Sequence, residues 1–196
     1  MLELVKESTG LSEETIKECK IGFSKENNAF VLPMIALDGR ITGLEIRTPE
    51  NHKGKFKFIC KTKGYAKDIE KCLSKINAPK EAKKAIICAG YKDGYAIYQY
   101  LKDLGQENEY QILTNTNGEP NTFRALEPHI KYLQGFEQVI LCLDNDKAGK
   151  QAVEKVEQSI PTVFYNLNLG RLVGINEYIN DFNDLYKYIK NKNITC

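Results

Sequence analysis

Between Val139 and Leu143 the chain runs through consecutive apolar residues and then breaks at once into Asp144-Asn145-Asp146-Lys147-Ala148-Gly149. An apolar run this short, closed by turn chemistry, predicts a strand buried on both faces, the kind found inside a parallel sheet. That restricts the fold, because parallel neighbours can be joined only through crossover connections, usually helices. The surrounding sequence has that form. Ala85–Cys88 and Tyr110–Thr114 read as buried strands, and between them Ala96, Ile97, Tyr100, Leu101 and Leu104 share one face of a helix over Asp93–Leu104. A weaker helix is expected over Glu127–Leu133 and an amphipathic one over Ala148–Ser159. A fourth strand comes next at Thr162–Leu167, then a last helix over about Asp181–Lys190. The expected fold class is α/β, a mainly parallel sheet with helices on both faces. Open sheets of this kind place ligands at the carboxyl ends of their strands, where Asp144 and Asp146 stand. Two acids there suit a hard divalent cation such as Mg²⁺. They would serve equally as a turn residue and a helix N-cap, so the pair alone leaves both readings open.

Upstream the pattern differs. Residues 1–22 predict a helical lead-in, with Ser12 as N-cap material and Leu11, Ile16 and Cys19 on one side. Asn28–Leu37 and Ile41–Ile46 read as strands joined through the Asp38-Gly39 turn signal. In Lys55–Cys60, Phe56 and Phe58 alternate with lysines, as in a strand with one buried and one basic face. A small antiparallel sheet is therefore expected over about 23–64, and a polar connector with a short helix over 65–84. The chain accordingly divides into 1–80, a β-rich subdomain with its helical lead-in, and 81–196, the α/β part.

Composition excludes several classes. At 42% apolar and 28% charged residues the chain is ordinary for a globular protein, with no apolar stretch long enough to span a membrane. The amino terminus carries no basic region succeeded by an apolar one, so a signal peptide is not expected and the cytoplasm is the expected compartment. The 6 cysteines form no Cys-x-x-Cys pair, which argues against zinc, and Cys88 and Cys142 sit inside apolar runs as core residues. The net charge of +2 hides a lysine-rich segment, Lys53–Lys84, which suits either a solvated face or a bound polyanion.

Three segments at strand or helix ends complete the pattern: Gly90-Tyr91-Lys92-Asp93, Asp144-Asn145-Asp146-Lys147-Ala148-Gly149, and Asp181-Phe182-Asn183-Asp184-Leu185. In order and spacing they resemble the motifs of the TOPRIM domain, shared by topoisomerases, bacterial and phage primases and some nucleases. Gly10–Phe23, Val31–Arg47 and Lys55–Gly64 are similar to the lead-in, small sheet and lysine-bearing segment of primase catalytic cores. One position departs from the pattern: the first motif begins with glutamate, and this chain has Ala89. A methyl group can act neither as general base nor as metal ligand. Either the protein diverged there and lost chemistry, or the glutamate was replaced to give an inactive chain.

The resemblance implies a DNA primase-like nucleotidyltransferase that uses Mg²⁺ or Mn²⁺ to make RNA primers on single-stranded DNA from nucleoside triphosphates. Its catalytic positions would be Ala89, Asp93, Asp144 and Asp146, with Asp144, Asp146 and Asp184 as metal ligands. Arg47, Lys61 and Lys63 would hold template or nucleotide phosphates. A replicative helicase or other replication protein is the implied partner, and a phage or mobile element a natural source. Two alternatives remain: a TOPRIM nuclease or nickase, and a catalytically dead adaptor that binds nucleic acid, which Ala89 favours.

Overall fold

The computed structural model describes residues 6, 9–47, 57–59, 73–115, 118–160, 164–166 and 179–192, without the side chains of 47, 57–59 and 164–166. Lys61 and Lys63 lie outside the described residues. The lead-in is a short helix, α1 (Glu13–Glu18), whose N-cap Ser12 accepts the Thr15 N–H at 3.1 Å. Then come β1 (Gly22–Ser24), β2 (Ala29–Ile35), β3 (Ile41–Arg47) and β4 (Lys57–Ile59), a four-stranded antiparallel sheet in that order. The Asp38-Gly39 turn forms as expected, with Gly39 at φ +88°, a region open to glycine at little cost.

The second sheet contains β5 (Leu73–Lys75), β6 (Lys84–Cys88), β7 (Tyr110–Asn115), β8 (Gln138–Cys142) and β9 (Phe164–Asn166) in the order β5-β7-β6-β8-β9. All its pairings are parallel except β5 with β7. The crossovers carry α2 (Tyr91–Asp103), the short α3 (Thr122–Leu126) and α4 (Ile130–Leu133), and α5 (Lys147–Ser159). The last helix is α6 (Phe182–Lys192). The alternation expected of strands buried on both faces is plain in β6 and β8. Ala85, Ile87, Val139, Leu141 and Leu143 enter one apolar cluster with α3, α4 and α5. Ile86, Cys88 and Cys142 enter the other, with α2 and α6. Helices therefore cover both faces, and Cys19, Cys88 and Cys142 are buried free thiols. No helix among the described residues is long and apolar enough to cross a membrane.

Within the expected 65–84 connector the described part differs from a helix: Leu73–Lys75 is an antiparallel edge strand of the large sheet. Ser74 holds the two sheets together, accepting the Ile35 N–H at 2.8 Å and donating to the Ile35 carbonyl at 3.1 Å. Asn77 anchors the backbone just past β5, donating to the carbonyls of Glu107 and Tyr110 and accepting the Ile112 N–H. Leu11, Ile16, Phe30, Leu32 and Met34 join Ile97 and Leu101 in one cluster, so the small sheet packs onto the α2 face rather than standing apart.

Candidate active site

In parallel strands all carboxyl ends emerge at one edge, so the loops after β6, β7 and β8 meet there. Cys88 pairs with Cys142, which puts Ala89 and Leu143 one step beyond the last ladder pair and Asp144 one step further. Ala89 is half-buried against the cluster beneath α5.

Asp93 lies in the first turn of α2 and is 8% exposed. The N-cap is Gly90, so Asp93 does not cap its own helix; its Oδ1 accepts the Asn183 N–H of α6 at 3.2 Å. Burial, then the charge of Asp181, pushes the Asp93 carboxyl up to about 7, while the Asn183 bond opposes the shift. Asp144 is likewise pushed up to about 7, by burial first and then by Glu119, Asp181, Asp146 and Asp184 in turn. Asp146 is the N-cap of α5, accepting the Gly149 N–H at 2.9 Å, so the capping role holds alongside its place in the acidic group. Gly149 lies so close to the preceding loop that an added Cβ would overlap the Asp144 carbonyl oxygen. The glycine after Asp146 is therefore required by contact.

Glu119 had no place in the expected site. It opens a 3₁₀ turn (Glu119–Asn121) after β7, is 7% exposed, and accepts the Asp144 N–H at 2.5 Å. Burial raises its carboxyl above the usual range, against the Asp144 bond, with further upward pressure from Asp146 and Asp93. One ligand oxygen each from Glu119, Asp144 and Asp146 lies within 4.8 Å of the other two. Asp181 also comes closer into play than Asp184. It accepts the Asp184 N–H at 2.7 Å and is the first charge acting on Asp93, whereas Asp184 is the last acting on Asp144. The Asn145 N–H bonds the Asn180 carbonyl at 2.7 Å, tying the β8 loop to the start of α6.

A model of the Toprim-like family matches residues 86–186. The chain belongs to that family. Among solved structures it is similar to the primase fragment of the bacteriophage T7 primase-helicase, at 20% identity and a TM-score of 0.72 over 95% of this chain and 70% of that one. It is similar to the same degree to primase domains of bacteriophage T7 seen with the phage lagging-strand DNA polymerase and an RNA/DNA hybrid, over 95% of this chain and 85% of that one. The Escherichia coli primase catalytic core aligns at 18% identity and a TM-score of 0.62 over 97% of this chain and 77% of that one. No curated protein sequence matches it. The fold is thus a TOPRIM-type α/β sheet preceded by a small antiparallel sheet, as in primase cores.

Of the residues expected in this Toprim-like site, Asp93, Asp144 and Asp146 converge at one edge, with Ala89 beside them. Arg47 ends β3 opposite Phe30, and its side chain is outside the described part. The donor set fits a hard cation: all its ligand atoms are carboxylate oxygens, and among the described residues no lysine or arginine forms an ion pair with Glu119, Asp93, Asp144, Asp146 or Asp181. The Oδ1 of Asn183, on a residue 1% exposed, also has no hydrogen-bond partner, an expensive state for a buried oxygen.

Proposed function

We propose that this chain is the catalytic core of a primase-type nucleotidyltransferase, joining nucleotides into an RNA primer on single-stranded DNA. The observation that carries it is the acidic group at the carboxyl edge of the sheet, in a chain whose small antiparallel sheet and α/β part together align with primase cores. A stand-alone nuclease reading accounts for the α/β part only. In this reading Mg²⁺ or Mn²⁺, when bound, stabilises the attacking and leaving oxygens of phosphoryl transfer. Asp144 and Asp146 hold it, with Asp184 at the margin of the group. Asp93, fixed by the Asn183 N–H, supports the charge balance from α2. Arg47, Lys61 and Lys63 hold template or nucleotide phosphates through contacts that weaken as salt rises.

Ala89 favours a second reading, an adaptor that binds nucleic acid without chemistry. Template, nucleoside triphosphates and Mg²⁺ or Mn²⁺ are supplied to the chain and to its Ala89→Glu variant, with Asp144→Asn in each background as control. Primer products that vanish with Asp144→Asn bear out the primase reading. Cleavage of labelled DNA instead would assign the chain to the nucleases. Retained DNA binding with neither product would leave the adaptor.

A further inference from the structure

We infer that Glu119 is the third carboxylate ligand of the metal site, delivered from the β7 loop to an edge where Ala89 brings none. The inference rests on the primase-type reading of the site and deepens it. Strand β6 lies between β7 and β8 in the sheet, so a β7-loop side chain that bonds the Asp144 N–H must pass over the end of β6, where Ala89 stands. Ala89 and the helices that come after β7 and β8 share one apolar cluster, which puts all three loops on the same side. Glu119 reaches to within 4.8 Å of ligand oxygens on both Asp144 and Asp146.

A purely structural Glu119 would be poorly chosen. Its bond to the Asp144 N–H needs one acceptor, which a glutamine amide provides without a charge. A carboxylate at this place is instead nearly buried among like charges, with no lysine or arginine among the described residues paired to it. Protonation relieves that cost at low pH; with the carboxylates ionised, a cation that joins the group relieves it. The hydrogen bond leaves the carboxylate ample capacity, since its two oxygens offer about four acceptor directions. Gly149 closes the cradle, because a Cβ there would come within 2.9 Å of the Glu119 Oε1.

The test is Mn²⁺ binding, read by calorimetry and by the electron spin resonance of free Mn²⁺, without nucleotide or DNA. Glu119→Gln keeps the acceptor for Asp144 and so keeps the loop. It is expected to weaken Mn²⁺ binding by about tenfold or more, while the metal-free unfolding temperature stays the same or rises. Adding Ala89→Glu to Glu119→Gln should recover most of the lost affinity. Affinity within about twofold of the parent chain in Glu119→Gln, with Asp144→Asn abolishing binding, would overturn the role of Glu119 and leave the metal site standing. A parent chain that binds no Mn²⁺ would overturn the metal reading as well. A double variant as weak as Glu119→Gln would show that Glu119 does not stand in for position 89.

Discussion

The two ends of α2 carry charge in opposite ways. At its carboxyl end Lys102 sits 3.1 Å from Glu14 and 2.7 Å from Glu18, and Asp103 takes Lys190 at 3.1 Å, Gln99 at 2.9 Å and the Tyr186 hydroxyl at 3.0 Å. Each charge there meets its opposite within the chain. At the amino end Asp93 faces Asp144 and Asp181, and Lys92 is the weakest influence on its carboxyl. The helix dipole does favour an acid in the first turn, but it contributes only about 0.3–1 kcal/mol there. That is too little to offset several carboxylates gathered at one edge, with Asp93 and Glu119 buried among them. One end is complete as folded and holds α1 and α6 onto α2; the other gathers like charges with which no lysine or arginine among the described residues forms an ion pair.

The largest expected effect is at the incomplete end. Gly149→Ala drives a methyl into the Asp144 carbonyl, where backbone meets backbone, and is expected to cost about 3 kcal/mol in denaturant unfolding. It should remove divalent binding with it. A variant that keeps both would mean the loop can shift freely and that the acidic group is not rigidly built.

A smaller effect sets the sign of the comparison. Asp93 and Asp144 are held at about 7 when folded, against an ordinary value of 3.8. Between those pH values the folded state binds more protons than the unfolded, so metal-free stability should fall as pH rises from about 4 to about 7 and level off above. Mg²⁺ should remove most of that loss at pH 8 and change little at pH 5. Asp93→Asn, whose amide oxygen can still accept the Asn183 N–H, should gain about 1–2 kcal/mol at pH 8 without metal. Thermal melts across pH with and without Mg²⁺ would break the comparison if Asp93→Asn destabilised the metal-free protein.

At the complete end the effect is smallest. Lys102→Ala should cost about 0.5–1 kcal/mol, less in high salt, because Glu14 and Glu18 are largely open to water. Mn²⁺ affinity should not change.

Sequence reading succeeded where structure is set by short-range periodicity. Short apolar runs closed by turn residues located β6, β7 and β8, and the helical spacing of Ala96, Ile97 and Leu101 located the buried side of α2. It was less accurate at the ends of that helix, where Tyr91 and Tyr95 are buried and Leu104 is 41% exposed. The outer turns of α2 meet α1, α6 and the small sheet, or solvent, and the helix's own pattern does not say which. Strand β5 was missed because three residues, Leu73–Lys75, carry no period of their own. Their state is set by pairing with β7 and by the Ser74 bonds to β2.

The acids show the same division most sharply. By itself the sequence determined that Asp144 and Asp146 come directly after a buried strand, and that a parallel sheet would carry Asp93 to the same edge, because those consequences arise from the local pattern and from parallel strands ending on one side. Only the tertiary structure decided that Glu119 joins them, that Asp181 rather than Asp184 presses on Asp93, and that no lysine or arginine among the described residues pairs with them. Glu119 lies in a loop whose neighbours in sequence have no bearing on its role. Its partner is 25 residues away, across an intervening strand, and distance in space within the folded sheet sets the strength of their charges on one another.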